Sequence, residues 1–197
     1  MNDYVYLDHN ATTTLRPEAL AAITAALALG ANPSSVHEPG RGARKILEAA
    51  RSRVAALACA APSDVIFTSG GTEANNLALR GSGRRRVLVS AVEHPSVLNG
   101  GGEIIPVDGN GIVDLESLEA MLSADGAPAL VSVMLANNET GVIEPVARVA
   151  EIAHSHGALV HCDAIQGAGK IAIDMADLGV DMLSLSAHKI GGPSGAG

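Results

Sequence analysis

Two apolar segments in the C-terminal third of the sequence are each followed by polar side chains that suit one kind of chemistry. Asp163 and Gln166 follow the first segment, and Ser186, His188 and Lys189 follow the second. A lysine amine forms a Schiff base with a carbonyl compound, and pyridoxal 5'-phosphate is the cofactor most often held in this way. That cofactor also requires an acidic partner for its pyridinium nitrogen and hydrogen-bond donors for its phosphate. The two segments therefore predict a pyridoxal-phosphate site with Lys189 and Asp163 at its centre.

Donors for a phosphate group are predicted where an earlier apolar segment turns into a helix. Gly70 and Gly71 form the turn, and Thr72 begins the helix. Backbone N–H groups at a helix N-terminus are free to bind an anion, and the Thr72 hydroxyl adds a donor. The serine and histidine that precede the lysine add two side-chain donors, because alternation along a strand end directs both to one face. Many strand-to-helix turns have this composition, so the motif alone is not specific.

Short apolar segments alternate with helical patterns along most of the chain. This alternation is typical of an α/β protein with a mostly parallel sheet. The segment 32–42 contains two prolines and two glycines and predicts a loop. The predicted strands span residues 7–14 (short, with a polar turn), 65–68, 87–90, 103–107, 130–135, 159–163 and 182–186. The predicted helices span residues 17–29, 46–57, 72–79, 115–122 and 146–156.

Composition limits the classes of protein to which the chain can belong. Its 197 residues are enough for one domain and part of another, and 47% are hydrophobic, so a buried core is expected. The 21 acidic residues outnumber the 13 basic ones, which argues against a nucleic-acid partner. The three consecutive arginines at 84–86 are interpreted as part of a solvated loop. Residues 1–4 do not resemble a signal peptide, and no apolar run is long enough for a membrane span. We therefore expect a cytoplasmic protein.

No metal site is predicted. His154 and His156 lie two residues apart on a predicted helix, and residues at that spacing face different directions. Cys59 and Cys162 lie in apolar segments and are interpreted as core thiols rather than as nucleophiles or as half of a disulfide. The segment 166–171 is rich in glycine and contains a lysine, but it lacks residues that a phosphate-binding P-loop requires.

Six sequence strings, taken in order along the chain, resemble the motifs of one protein family. On these strings the chain is similar to the NifS/IscS cysteine desulfurases, which belong to the class V aminotransferase family. One such string would be weak evidence, but six in the family's order are specific, and they cover nearly the whole chain. The strings are YLDHNATT (6–13), NPSSVH (32–37), TSGGTEANN (68–76), EH (93–94), NNETG (137–141), and DAIQ (163–166) together with SAHKIGGP (186–193).

The resemblance implies the fold type I of pyridoxal-phosphate-dependent transferases, with helices on both sides of the large-domain sheet. It implies that Lys189 carries the cofactor and moves protons, that Asp163 pairs with the ring nitrogen, and that Gln166 bonds the ring oxygen. It also implies that His94 stacks on the ring and acts in acid–base steps, and that Asn138 lies near the ring. Each residue has a plainer alternative: a solvated lysine, a helix cap, an exposed turn or a structural histidine. The remaining cofactor-binding residues are then Gly71, Thr72, Ser186 and His188.

The reaction that the resemblance implies is conversion of L-cysteine to L-alanine, with the sulfur passed to an enzyme cysteine as a persulfide. The persulfide would serve iron–sulfur cluster assembly or thiolation. The implied partners are L-cysteine, a second copy of the chain in a homodimer, and an iron–sulfur scaffold or other sulfur-acceptor protein. The alternatives are another class V enzyme, either a selenocysteine lyase or an aminotransferase, and a non-catalytic large-domain fragment. The string at 32–37 favours the desulfurase.

The chain departs from the family pattern in two places. The segment 95–103 is shorter than the helical segment that the family has there, so we expect a shortened helix or a glycine turn. The sequence stops soon after the lysine. We expect an N-terminal arm and the start of a small-domain-associated segment at 1–15, and an incomplete cofactor-binding large domain at 16–197. The small domain and the catalytic cysteine would lie outside this chain, which alone is expected to self-associate and not to turn over cysteine.

Overall fold

The computed structural model describes residues 5–197 and contains a five-stranded sheet. Its strands are β1 (Arg86–Ser90), β2 (Glu103–Ile105), β3 (Ala129–Ser132), β4 (Leu159–Asp163) and β5 (Met182–Ser184). The strands run parallel and lie in the order β2-β1-β3-β4-β5. The chain adds β2 on one side of β1 and then returns to add β3 on the other, so the winding reverses between β1 and β3. Ligands of open parallel sheets bind outside the carboxyl ends of the strands at such a reversal.

Helices cover both faces of the sheet, which confirms the predicted α/β fold. The helices are α1 (Pro17–Leu29), α2 (Glu38–Leu57), α3 (Gly71–Gly81), α4 (Pro95–Leu98), α5 (Leu115–Ala124), α6 (Val146–Ser155) and α7 (Met175–Leu178), with short 3-10 turns at Pro62–Asp64 and Ala187–Lys189. One face of the sheet packs against α5 and α6, for example through Leu118 and Val149. The opposite face packs against α3 and α4 through Leu79 and Val97. Among residues 5–197, none of these helices has both the length and the apolar character of a membrane span.

A row of polar side chains crosses the α3 face of the sheet close to the carboxyl ends of three strands. The buried His161 side chain lies 2.9 Å from Ser132 Oγ through Nδ1 and 2.9 Å from Ser184 Oγ through Nε2. Burial lowers the pKa of His161 to about 4, so the imidazole is neutral and donates one of these bonds while accepting the other. The row joins β3, β4 and β5 one layer below Asp163, because residues two apart on a strand share a face.

Two segments that the sequence predicts to be strands are not strands. Residues 7–14 contain a turn at 9–11 and otherwise irregular backbone. Residues 65–68 are in no strand, and their one reciprocal pair of backbone hydrogen bonds within the described residues joins Thr68 and Gly197, at N–O distances of 2.8 and 3.0 Å. A single pair of hydrogen bonds does not make a β-ladder. Within the described residues, the segment 65–68 therefore pairs with no neighbouring strand, although its sequence has the pattern of one.

The loop predicted at 32–42 ends earlier than expected, because α2 already begins at Glu38. His37 precedes it and its Nδ1 accepts the Gly40 N–H at 3.2 Å, which caps the helix. Pro39 is tolerated in the first turn, where a backbone N–H is not needed. Gly40 packs so closely against Ser35 that a Cβ atom would overlap it. Proline and glycine here therefore belong to a helix start.

The segment after His94 is short, as predicted. Helix α4 has four residues, and a turn with Gly101 and Gly102 at φ values of 80° and 137° leads directly into β2. A Cβ atom on Gly102 would lie 2.9 Å from the Val87 carbonyl oxygen, so the turn packs closely on β1. The short connection consequently keeps β2 beside β1 without a full helix between them.

The interpretation as a core thiol is correct for Cys162 and wrong for Cys59. Cys162 is fully buried in β4, as predicted. Cys59 is exposed instead, because α2 ends at Leu57 and Cys59 lies in the following turn with φ 52°. The apolar residues around Cys59 belong to the helix and to its end, and they do not enclose the thiol.

The basic run at 84–86 is not wholly a solvated loop, because Arg86 begins β1 and its side chain is only 10% exposed. Its guanidinium makes two bonds to Glu103, at 2.7 and 2.8 Å, which tie β1 to β2. It also donates to the carbonyl oxygens of Met121 and Asp125, at 2.8 and 2.9 Å. One side chain therefore holds the edge of the sheet to the end of α5.

Arg86→Ala should lower the free energy of unfolding by about 2 kcal/mol, because hydrogen bonds with charged groups are worth more than neutral ones and two carbonyls lose a partner. Arg85→Ala is the matched control, since that side chain is exposed, and it should change stability by less than about 0.5 kcal/mol. Urea denaturation of the two variants measures the difference. Equal effects would show that the Arg86 contacts do not stabilise the sheet edge.

Candidate active site

A cavity of about 520 Å³ opens at the carboxyl ends of the strands. Parallel strands bring their carboxyl ends to one edge of the sheet, so residues that are distant in sequence meet there. All nine residues that the sequence predicts for the site line this cavity. They are Gly71, Thr72, His94, Asn138, Asp163, Gln166, Ser186, His188 and Lys189.

Asp163 is the last residue of β4 and is 4% exposed. Its Oδ2 accepts a hydrogen bond from Asn75 Nδ2 at 2.7 Å, and its Oδ1 accepts one from the Ile165 N–H at 3.0 Å. Burial raises the pKa of Asp163, while these two donors and the charges of His94 and Lys189 oppose the rise. The carboxyl is thus a buried acid that a positive charge in the cavity would stabilise in its ionised form.

Asn75 is a site residue that the sequence analysis missed. It lies on α3 four residues after Gly71, on the helix face that packs against the sheet, and it is completely buried. Its Nδ2 donates to Ser96 Oγ at 2.9 Å as well as to Asp163. The available signal was a polar side chain at an inward-facing helical position, where an apolar residue is normally expected.

His94 both caps α4 and faces the cavity. Its Nδ1 accepts the Ser96 N–H at 3.1 Å and lies 2.8 Å from Ser96 Oγ. Because Nδ1 accepts the Ser96 N–H, the ring proton in this arrangement is on Nε2. Hydrogen bonds therefore connect Asp163, Asn75, Ser96 and His94, and they hold the imidazole at a fixed orientation in the wall of the cavity.

Lys189 ends the 3-10 turn after β5 and is partly buried. Its Nζ donates to the carbonyl oxygens of Asn10 and Ala11, the latter at 3.0 Å. Burial lowers the pKa of Lys189, and the charge of Lys170 lowers it further, while Asp163 and Asp8 act in the opposite direction. A lysine in this environment forms the neutral, nucleophilic amine at lower pH than an exposed lysine does.

The N-terminus of α3 forms one end of the cavity. A smaller cavity of about 230 Å³ adjoins it, and the two share Gly71, Thr72, Ser186 and His188. A Cβ atom on Gly71 would overlap Ile165 and approach Ser186 to 3.5 Å, so only glycine leaves this space open. The first N–H groups of a helix carry partial positive charge, and with the neighbouring hydroxyls they suit an anion.

His188 is held in a neutral form beside this end of the cavity. Burial lowers its pKa first, and the charge of Lys189 lowers it further. Its Nδ1 lies 3.2 Å from Thr12 Oγ1. The ring therefore offers a neutral donor or acceptor.

The N-terminal turn reaches into the site through Asn10. Gln166 is buried, and its Nε2 donates to the Asn10 carbonyl at 2.8 Å, while Asn10 Nδ2 donates to the Asn138 carbonyl at 3.1 Å. The turn before Gly141 is organised by Asn137 instead, whose Oδ1 accepts two backbone N–H bonds at 2.9 Å. Asn138 is thus free to line the cavity.

Glu93 is a second buried carboxyl behind the cavity, 4% exposed. Its Oε1 accepts bonds from Ser90 Oγ at 2.7 Å and from the Met134 N–H at 2.6 Å, while its Oε2 has no partner among residues 5–197. Burial raises the pKa of Glu93 to about 8, with smaller contributions from the charges of Asp163 and Glu144, and the Ser90 bond opposes the rise. Glu93 therefore carries a proton at neutral pH.

Comparison with known proteins gives consistent matches over nearly the whole chain. Residues 5–197 match the family model described as Aminotransferase class-V. A protein named cysteine desulfurase from Cereibacter sphaeroides is 48% identical over 210 residues, which cover 98% of this chain and 54% of that protein. The chain therefore spans about half the length of this relative.

Two solved structures share the fold. A NifS-like protein from Rickettsia africae gives a TM-score of 0.92 at 38% identity, covering 98% of this chain and 56% of that one. A structure described as SspA in complex with cysteine gives a TM-score of 0.90 at 30% identity, covering 98% of this chain and 60% of that one. The described residues thus have the architecture of the larger part of these proteins.

The buried Glu93 carboxyl should make stability fall as pH rises. Its pKa is raised from 4.5 to about 8, so between these values the folded protein holds a proton that the unfolded chain releases. Relative to Glu93→Gln, the unmodified protein should lose up to about 1.4 kcal/mol per pH unit in that window. Urea denaturation across the window measures this, with Glu119→Gln on the exposed face of α5 as the control. Parallel pH profiles for the unmodified protein and Glu93→Gln would contradict the assignment.

Proposed function

Because the chain belongs to the class V aminotransferase family, whose enzymes depend on pyridoxal 5'-phosphate, we propose that it forms the cofactor-binding part of a cysteine desulfurase. The family resemblance predicted from the six strings is confirmed. The proposed reaction converts L-cysteine to L-alanine and passes the sulfur to an enzyme thiolate. The observation that carries the proposal is that Lys189 and the buried Asp163 line one cavity at the carboxyl ends of β4 and β5.

The residues around the cavity fit the cofactor. Both hydrogen bonds that Asp163 accepts come from neutral groups, so its carboxylate suits a protonated ring nitrogen. The opposite end offers the α3 N-terminus, and Gly71 leaves the space there open for a phosphate. A cavity of about 520 Å³ lies within the usual range for small-molecule sites. Acid, amine and anion site therefore all border one space.

The chain's own residues support proton transfer in this space. The bound cofactor would act as an electron sink for an amino-acid substrate. Lys189 can take up and return a proton at Nζ, and burial together with the charge of Lys170 lowers its pKa, which favours proton release. His94 presents Nε2–H, since its Nδ1 is engaged by Ser96. Neighbouring Asn75 keeps the Asp163 carboxylate oriented.

Neither cysteine of this sequence suits the role of sulfur acceptor. Cys162 is buried, and burial raises its pKa well above the ordinary value, so the thiolate is disfavoured. Cys59 is exposed in the turn after α2 and does not line the cavity, and the charge of Asp174 raises its pKa. We propose that the acceptor cysteine belongs to a part of the enzyme outside this sequence.

The partners of the enzyme remain predictions. A homodimer is supported by α1, which leaves Leu20 and Leu27 exposed and buries none of its own residues.

The division of the chain into an N-terminal arm at 1–15 and a large domain at 16–197 stays a prediction from the sequence, and residues 1–4 lie outside the described part. The location in the cytoplasm also stays a prediction. Iron–sulfur cluster assembly is supported by relatives that are named IscS, one of them 42% identical to this chain.

Loading the protein with pyridoxal 5'-phosphate and adding amino acids tests the proposed substrate. L-cysteine should change the visible absorption of the bound cofactor, whereas D-cysteine should not. Lys189→Ala should abolish the adduct that borohydride fixes to the chain, because the reacting amine is removed. Mass spectrometry of the reduced protein locates the adduct, with Lys45→Ala as the control. An adduct at another lysine would contradict the role of Lys189, and an unchanged spectrum with L-cysteine would contradict the substrate.

Asp163→Asn should slow loss of the substrate Cα proton more than it weakens cofactor binding. A neutral amide does not stabilise a protonated ring nitrogen, so the rate should fall by about a hundredfold or more. Exchange of the L-alanine Cα proton in D₂O, followed by NMR, gives the rate, and absorbance titration gives the affinity. Asp177→Asn, on the exposed side of α7, is the control. An unchanged exchange rate would remove Asp163 from the site.

A further inference from the structure

The glycine-rich segment after β4 has a role at the site that differs from phosphate binding. The N–H groups of Gly167 and Ala168 bond to the Ala164 carbonyl, and those of Lys170 and Ile171 bond to the Gly167 carbonyl. This backbone forms a helical turn, so residues four apart lie on the same side of it. Residues 166 and 170 are such a pair: Gln166 lines the cavity, and Lys170 contacts it from outside the lining.

The Lys170 side chain contacts two residues of the site. Its Nζ donates to Gln166 Oε1 at 2.6 Å and to Asn10 Oδ1 at 3.2 Å. An ammonium group only donates hydrogen bonds. The oxygen of the buried Gln166 amide must therefore face Lys170, and its Nε2 is directed to the opposite side, where it donates to the Asn10 carbonyl.

Asn10 holds the two lysines of the site close to one another. Its side-chain oxygen accepts from Lys170, and its carbonyl oxygen accepts from Lys189. Two ammonium groups bound to one residue repel each other, which favours loss of a proton from the more buried one. That one is Lys189, because Lys170 is exposed.

Other charged groups also face Lys189, and they act in both directions. Asp163 and Asp8 favour its charged form. His188 beside it is neutral at ordinary pH, because burial and the lysine charge lower the pKa of that ring. Among the groups that shift the pKa of Lys189, Lys170 is the one positive charge in the described residues.

We propose that Lys170 is a positioning residue of this site: it fixes the Gln166 amide with its oxygen on the Lys170 side, and its charge favours the neutral form of the Lys189 amine over the charged form. The orientation half of the proposal rests on the proposed function, since the ring oxygen of the cofactor would accept the second N–H of Gln166 Nε2, the one that the Asn10 carbonyl does not accept. The charge half concerns the protein without cofactor. The two halves are therefore tested separately.

The charge half is tested by labelling lysines in the cofactor-free protein. The sequence has three lysines, at 45, 170 and 189, so mass spectrometry reads each one separately after a pulse of acetic anhydride at a series of pH values. Lys170→Met should raise the pH midpoint of Lys189 labelling by about 0.5 to 1 unit, because a screened like charge is removed. Lys170→Arg keeps the charge and should leave the midpoint in place.

Lys45→Met is the matched control for the labelling, because that lysine is exposed on α2. It should not move the midpoint of Lys189. High salt should reduce the difference between Lys170→Met and the unmodified protein. A midpoint that is unchanged in Lys170→Met, or that moves equally in Lys170→Arg, would overturn the charge half. Far-UV circular dichroism and urea denaturation verify that the variants fold.

The orientation half is tested by a double-mutant cycle on affinity for pyridoxal 5'-phosphate. Lys170→Met should weaken binding about threefold to tenfold, and it should have little further effect when Gln166 is already alanine. Independent, additive effects would overturn the orientation half. If the unmodified protein bound no cofactor at all, the proposed function and the orientation half would fail together, while the labelling result would still decide the charge half.

Discussion

The site depends on the burial of the Asp163 carboxyl at the end of β4. Removing a carboxylate from water costs several kcal/mol unless donors and a positive charge compensate it. The Asn75 amide and the Ile165 N–H supply donors at 2.7 and 3.0 Å, but both are neutral. Full compensation requires a cation on the cavity side. A ligand that carries positive charge opposite its anionic end would supply that cation.

The parallel sheet determines which residues share this environment. Four strands each place a site residue beyond their carboxyl ends: His94 after β1, Asn138 after β3, Gln166 after β4 and Lys189 after β5. The row of Ser132, His161 and Ser184 joins three of these strands just below the cavity without introducing a charge, because the imidazole is neutral. The position of the site thus follows from the topology, and its rigidity follows from hydrogen bonds between neighbouring strands.

The sequence predicted those features that depend on local pattern. Strand β4 and helix α1 have the predicted bounds, and the nine predicted site residues line one cavity. Three of the misses share a physical cause, which is that the partners of these residues are distant in the chain. Residues 65–68 have the pattern of a strand but not its neighbour, and Asn75 is recognisable only beside Asp163, 88 residues away. Lys170 resembles a solvated lysine until the fold places Asn10 next to it.

The attachment of the N-terminal turn has a consequence for motion. Residues 5–14 bury no side chain, and hydrogen bonds such as those between Asn10 and the Gln166 and Lys170 side chains hold them to the sheet edge. A segment held only in this way opens at a free-energy cost well below that of global unfolding. The backbone amide hydrogens of the turn therefore exchange with solvent by local opening, while those of β3 and β4 exchange only when the whole domain unfolds. Access to Lys189 is coupled to that local opening, because the Asn10 and Ala11 carbonyl oxygens accept hydrogen bonds from its amine.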